Sequence, residues 1–300
     1  MDNVVKGVQN MYKSLQPQAA PIIAETNNQT GIVSNSNIVK YSKYAGAAYK
    51  IFSTVWSCTL NCFANDTKNT EIDYHWAVSG APSYGFVAHK DDTKEIIVSW
   101  RGSVVIMDWI ADFKFAPTVW PISIKGSFVH KGFLNAYKGA SENIKNVVSK
   151  LVDQYPDYKI VLTGHSLGGA EAALAAVDFT IEHPEWANRI ELYTYGEPRV
   201  GNSVFADWLS SQPFPIYRVV NQGDLVPRVP PQIMGYQHHA QEVWYKEDSE
   251  SPQFCGKNAE SLDCQAGLST SGLSLLNHLT YPGLGYEVIY AFLANMDIDK

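Results

Sequence analysis

Tyr158–His183 reads YKIVLTGHSLGGAEAALAAVDFTIEH, and the order of residue types in it decides the fold. Tyr158–Thr163 is a short apolar run of strand length, and Gly169–His183 has the length of a helix that crosses over a parallel sheet. Gly164-His165-Ser166-Leu167-Gly168 joins the two. Outward from this unit, Glu95–Trp100 (EIIVSW), Ile190–Tyr195 (IELYTY) and Ile216–Val220 (IYRVV) also read as buried strands, and Ala140–Gln154 as a second crossover helix. Strands buried on both faces and separated by such crossovers imply an α/β fold.

The chain has 300 residues, 45% hydrophobic and 18% charged. A chain of this size buries about three quarters of the surface its unfolded form exposes, so a full core is available. No run of 18 apolar residues occurs, which excludes a spanning helix. Aromatic residues at 12% and a net charge of −7 speak against disorder and against nucleic acid, which calls for a concentrated basic face. Four cysteines fall in two close pairs, Cys58/Cys62 and Cys255/Cys264, without zinc-site spacing. Two local disulfides fit that spacing, one of three possible pairings. Asn28-Gln29-Thr30 and Asn65-Asp66-Thr67 are glycosylation sequons, and with the cysteines they point to a secreted protein. Met1 is followed by Asp2-Asn3, with neither a basic n-region nor an apolar h-region, so a signal peptide is not expected in this chain. Val4, Val8, Met11 and Leu15 share a helical face, and QPQAAP at 16–21 then breaks the pattern. Residues 1–36 therefore read as an extension or pro-segment. The body, 37–300, opens at Asn37, a candidate N-cap for a helix carrying Ile38, Tyr41, Ala45, Ala48 and Tyr49.

Gly164–Gly168 satisfies G-x-S-x-G between a strand and a helix, where a serine is held in strained geometry with its hydroxyl exposed above the sheet. The helix that follows offers backbone N–H groups to a developing oxyanion. Serine needs a base, and the base needs an orienting carboxylate, in the chain order Ser, acid, His. Asp224 follows the strand Ile216–Val220, and His278 lies in Asn277-His278-Leu279. Among rival acids, Glu197 reads as a turn residue, solvated or salt-bridged, and Asp178 and Asp207 as surface groups. His165 points the wrong way around its turn to act as base. His130, His238 and His239 read as structural hydrogen-bonders. His75, His89 and His183 precede the required position or lie in loops. Ser103, after the strand Glu95–Trp100, and Leu167 are the candidate oxyanion N–H donors. Val104–Phe115 then places Ile106, Trp109, Ile110 and Phe113 at helical spacing, which suits a lid with an apolar inner face.

Together these pieces resemble the fungal-type class 3 lipases of the α/β-hydrolase superfamily. The resemblance is carried by Trp100-Arg101-Gly102-Ser103, Ile106-x-x-Trp109-Ile110, His130-x-Gly132-Phe133 and Gly164-His165-Ser166-Leu167-Gly168-Gly169. It continues through Tyr195-Gly196-x-Pro198-Arg199-Val200-Gly201-Asn202, Asp224-x-Val226-Pro227, Gly235-Tyr236-x-His238 and Asn277-His278-Leu279. It covers roughly residues 37–285; the opening 36 residues and those after Tyr286 fall outside it. The resemblance implies a single α/β-hydrolase domain, with a central, mostly parallel sheet flanked by helices and a short helical lid over about 104–115. It implies Ser166, Asp224 and His278 as triad, with Ser103 and Leu167 as oxyanion donors. Two short disulfide loops, Cys58–Cys62 and Cys255–Cys264, are also implied. The expected activity is extracellular hydrolysis of triacylglycerols at a lipid–water interface, without cofactor or metal. A soluble carboxylesterase of feruloyl-esterase type is the alternative, though such enzymes carry a more polar lid, and a preference for mono- or diacylglycerols is a further variant.

Overall fold

Apolar runs that alternate between two faces build the sheet on which the site rests. The computed structural model describes residues 21–26, 29–80, 82–105, 116–247, 251–256 and 259–296. Its first half runs β1 (Pro21–Thr26), β2 (Gln29–Ser34), α1 (Asn35–Ala47), β3 (Glu71–Ala77), β4 (Tyr84–Lys90), β5 (Glu95–Trp100), β6 (Pro117–Val119), β7 (Phe128–His130), α2 (Lys131–Lys138) and α3 (Ser141–Gln154). Then follow β8 (Lys159–His165), α4 (Leu167–Glu182), β9 (Ile190–Tyr195), α5 (Ser203–Ser210), β10 (Ile216–Asn221), β11 (Glu242–Tyr245), β12 (Gln253–Phe254), α6 (Leu275–Leu279) and α7 (Tyr286–Met296).

Eight strands form one sheet in the order β12-β11-β10-β9-β8-β5-β4-β3. The pairs from β5 through β8, β9 and β10 to β11 are parallel, and the edge pairs β3–β4, β4–β5 and β11–β12 are antiparallel. The sheet is thus mostly parallel, with helices on both faces. Ile96, Val98, Trp100, Ile160, Leu162 and Leu192 face one core, shared with α2, α3 and α4. Ile97, Val161, Tyr193, Tyr195 and Val219 face the other, shared with α1 and α7. The period of two along each strand produces this division, since successive side chains leave a strand on opposite faces.

Four of the strands were foreseen from sequence with boundaries within two residues. The outer strands were not: β3 is half exposed at the sheet edge, and its sequence EIDYHWA lacks a continuous apolar run. α1 begins at Asn35, two residues before the expected cap. It is anchored by a buried ion pair, Lys40 Nζ to Glu95 Oε2 at 2.5 Å, and by the Tyr41 hydroxyl, which donates to Glu95 Oε1 at 2.6 Å. Within the expected extension, β1 and β2 pair as an antiparallel hairpin. Residues 1–20 lie outside the described residues, as do Ile106, Trp109, Ile110 and Phe113 of the expected lid, of which only Val104 and Val105 are described. No described helix is long and apolar enough to cross a membrane.

Leu162 lies at the centre of β8, fully buried between β5 and β9. Leu162→Ala is expected to lower unfolding free energy by about 2–5 kcal/mol, the range for a buried leucine in a core that cannot collapse. Urea unfolding checks this, and a loss under 1 kcal/mol would contradict the packing described.

Candidate active site

At the end of β8 the chain turns sharply into α4, and Ser166 occupies the turn with φ 60° and ψ −127°. A non-glycine residue at positive φ costs on the order of 1–3 kcal/mol and persists only where its surroundings over-determine it. Here they do. Ser166 N–H donates to Tyr195 O of β9 at 2.8 Å, and the Ser166 carbonyl accepts from Gly169 and Ala170 N–H at 2.9 and 3.3 Å. The flanking glycines are needed for space: a Cβ on Gly164 would lie 2.2 Å from Gly168 O, and one on Gly168 would lie 2.2 Å from Trp100 O. The G-x-S-x-G spacing is therefore a packing requirement between the turn, α4 and the end of β5.

Asp224 follows β10 and is fully buried. Its Oδ1 accepts from Val226 N–H at 2.8 Å, and its Oδ2 accepts from the Tyr281 hydroxyl at 2.5 Å and from His278 Nδ1 at 2.8 Å. A carboxylate only accepts, so His278 Nδ1 carries the proton and Nε2 keeps its lone pair. Ser166 Oγ and His278 Nε2 are both buried and, among the described residues, without a hydrogen-bond partner. Ser166 thus offers an unengaged hydroxyl, His278 an unengaged ring nitrogen, and Asp224 a carboxylate on the other ring nitrogen. That set can transfer an acyl group.

Backbone links hold acid and base together. Asp224 and Ser274 form a parallel bridge, with Ser274 N–H donating to Gly223 O at 2.8 Å. The Ser274 side chain caps α6, which carries His278. Asn221 Nδ2 donates to Asn277 O and Thr280 O at 3.0 and 3.2 Å. On the other side, Gln265 Nε2 donates to Asp224 O at 2.7 Å. Gln265 adjoins Cys264, which is bonded to Cys255, and Arg228 donates to the carbonyls of Gln265, Ala266 and Leu268. Gly196, at φ 60°, completes the packing: a Cβ there would lie 2.7 Å from His278 Nδ1 and 2.8 Å from Asp224 Oδ2.

Ser103 is buried after β5, and its Oγ accepts from Val105 N–H at 3.2 Å. The loop reaches the turn through Gly102, whose Cβ, if present, would lie 2.8 Å from Ser166 Cβ. Leu167 opens α4, so its N–H is one of the four that lack an intrahelical acceptor. Leu167 thus follows Ser166 directly, and the loop that carries Ser103 packs against the turn.

The rivals go elsewhere. Glu197 is paired and not solvated: it is fully buried, accepts from Thr194 Oγ1 at 2.5 Å and lies 3.0 Å from His239 Nε2. Asp178, read as a surface group, is a partly buried acceptor for the Tyr137 hydroxyl and Lys145. Asp207 is exposed. His130 caps α2 through Nδ1, His238 Nε2 lies 2.8 Å from Pro227 O, His89 pairs with Asp73, and His183 stacks on Trp186. Tyr281 and Gln265, which support Asp224, were missed from sequence, because neither carries a local signal beyond Tyr281 standing three residues after His278. The second cysteine pair, Cys58 and Cys62, is also bonded. Among the described residues Glu242, Cys255 and Cys264 stand at metal-ligand spacing, but both sulfurs are spent in the disulfide and Glu242 pairs with Arg218. Asn65 is exposed, and Asn28 lies outside the described residues.

The family model described as Lipase (class 3) matches residues 97–234. A lipase of Rhizomucor miehei is 38% identical over 231 residues, 76% of this chain and 62% of that protein's length. A secreted mono- and diacylglycerol lipase of Fusarium solani is 35% identical over 257 residues, 82% of this chain and 75% of that protein. Among solved structures, the Rhizomucor miehei triacylglyceride lipase superposes with a TM-score of 0.79 at 33% identity, covering 84% of this chain and 96% of that one. The lipase of Rhizopus microsporus var. chinensis superposes with a TM-score of 0.80 at 32% identity, covering 91% and 96%.

Gly196→Ala is expected to push His278 off Asp224, and the strongly downfield proton resonance of the His278 Nδ1–H bond should disappear from the NMR spectrum. An unchanged resonance would contradict the contact. A pH effect follows from His238. Burial, with the positive charges of Arg218 and Arg199, pushes its protonation well below the usual 6.5. Below that pH the unfolded histidine takes a proton that the folded one refuses, so stability falls as pH drops, by at most ~1.4 kcal/mol per pH unit for this group. His238→Gln should make the fall in unfolding free energy between pH 6.5 and 5 shallower by up to that amount in urea titrations; an unaltered slope would contradict it.

Proposed function

This chain belongs to the class 3 lipase family, and we propose that it is a secreted lipase that hydrolyses acylglycerol esters through Ser166, His278 and Asp224. One observation carries the assignment of residues: the unengaged Ser166 hydroxyl and His278 Nε2, on a turn and a short helix tied to the same sheet, with Asp224 on His278 Nδ1. Ser166 Oγ attacks the ester carbonyl carbon as its proton passes to His278 Nε2. The resulting imidazolium is stabilised by Asp224, which stays ionised. The tetrahedral oxyanion is received by the backbone N–H groups of Ser103 and Leu167, each worth ~2.7–4 kcal/mol of barrier. Collapse breaks the bond to the glycerol oxygen, which leaves with the proton from His278, and Ser166 is acylated. Water then repeats the sequence, releasing the fatty acid and restoring the serine.

Val105, two residues beyond Ser103, is 46% exposed, and Leu276, two before His278, is 43% exposed. These apolar flanks suit a substrate presented at a lipid–water interface, with the segment 104–115 as lid. Residues 37–300 form the catalytic body in this reading, and 1–36 precede it as an extension. The Fusarium relative, described as a mono- and diacylglycerol lipase, supports a preference for partial glycerides as the second reading. Two disulfides and an exposed sequon at Asn65 suit an oxidising, extracellular setting.

Hydrolysis of a short-chain triacylglycerol, followed across its solubility limit, tests the assignment. Turnover should jump once droplets form, and Ser166→Ala should reduce it by roughly 10³-fold or more. Smooth saturation below the limit would mean a soluble esterase, and turnover surviving in Ser166→Ala would remove the triad.

A further inference from the structure

His165 stands beside the nucleophile, fully buried, and takes no part in the acyl transfer described. Its Nε2 lies 2.8 Å from the His278 carbonyl oxygen, and its Nδ1 lies 2.8 Å from the Tyr49 hydroxyl. A carbonyl oxygen can only accept, so Nε2 holds the proton and donates it. Nδ1 then presents a lone pair, and the Tyr49 hydroxyl donates to it. The Tyr49 oxygen packs directly against the Gly102 backbone. Two hydrogen bonds thus run from Tyr49 to His165 and from His165 to the His278 carbonyl, and the Tyr49 end is seated on Gly102.

The ends of this chain matter. Gly102 directly precedes Ser103, a proposed oxyanion donor, and His278 is the proposed base. The middle link adjoins Ser166. Tyr49 itself comes from the stretch after α1, far from every motif, and is buried with its hydroxyl where a Cβ on Gly102 would stand only 2.3 Å away. The His165 ring lies 4.4 Å from that of His278, with 34° between the planes. When His278 takes the Ser166 proton, a second charged imidazole at that distance would oppose it. Burial and the neighbouring His278 hold the His165 proton affinity well below the ordinary 6.5, and the Tyr49 hydroxyl occupies the lone pair that would otherwise take a proton.

We infer that Tyr49 and His165 are positioning residues for the proposed reaction, a hydrogen-bonded strut that keeps the oxyanion loop, the nucleophile turn and the His278 backbone in one register. The inference rests on Ser166 and His278 having the roles proposed above. Its strength lies in joining three chain segments whose motifs contain only one of its two side chains.

The test uses a short-chain ester kept below its solubility limit, so that no interface intervenes, with kcat, KM and melting temperature measured separately. Tyr49→Phe removes one oxygen atom, and His165→Leu removes both ring nitrogens. His165→Gln keeps an amide N–H that can reach the His278 carbonyl. Tyr49→Phe and His165→Leu are expected to lower kcat about 10-fold or more, as a displaced catalytic group does, with KM within about 2-fold. His165→Gln should regain most of what His165→Leu loses. Should His165→Leu fail to fold, the other two variants decide. The strut is overturned if Tyr49→Phe keeps kcat within about 2-fold, or if kcat falls only in step with melting temperature and the glutamine gives no rescue. Labelling by a serine-directed phosphonate separates the two levels of the argument: it should be slowed in Tyr49→Phe and abolished in Ser166→Ala. Label retained in Ser166→Ala would overturn the triad and the strut with it, whereas unslowed label in Tyr49→Phe would overturn the strut alone.

Discussion

The hydrogen bond from Ser166 N–H to the Tyr195 carbonyl is the constraint on which the site depends. It joins a residue at φ 60° to the end of the neighbouring strand and so holds the backbone where sterics disfavour it. Every close contact around the turn follows from that position. Gly164 and Gly168 are glycines because α4 starts against the turn and against the end of β5, leaving 2.2 Å for a Cβ that neither carries. A serine placed this way has its hydroxyl at the N-terminus of a helix, with no competing partner among the described residues.

The rest of the site assembles at the same edge because the strands are parallel. β5, β8, β9 and β10 all end there, and the segments after them bring Ser103, Ser166, Gly196 and Asp224. Ligands in open α/β sheets bind at the carboxyl ends of the strands for this topological reason. His278 arrives on α6, which is secured by the Asp224–Ser274 bridge and by two bonds that the Asn221 side chain donates to backbone carbonyls. Asp224 in turn has donors on both oxygens, so the carboxylate is fixed before it orients the base. Main-chain geometry and a few buried side chains, Asn221, Gln265 and Tyr281 among them, set position at the site.

What the sequence revealed follows physical locality. The central strands were legible because burial on both faces demands continuous apolar runs, and the nucleophile turn because its glycines are a local steric need. Edge strands were not, since β3 has only one neighbour and mixes polar with apolar residues. Asp224 and His278 could be chosen by chain order, yet their partners Tyr281 and Gln265 could not, because those contacts exist only after folding. Glu197 marks another limit: a carboxylate in a Gly-Glu-Pro turn reads as solvated or salt-bridged, and only the tertiary arrangement, which places His239 and Thr194 against it, decides between the two. The same holds for Tyr49, whose reach to His165 spans 116 positions of sequence.

The most direct measurement of the central claim is the crystal structure of the protein inactivated by an alkylphosphonate ester. Phosphorus is expected on Ser166 Oγ, with one phosphoryl oxygen about 2.7–3.1 Å from both the Ser103 and Leu167 N–H groups, and His278 Nε2 facing the serine oxygen. Phosphorus on another residue, or a phosphoryl oxygen turned away from those two donors, would contradict it.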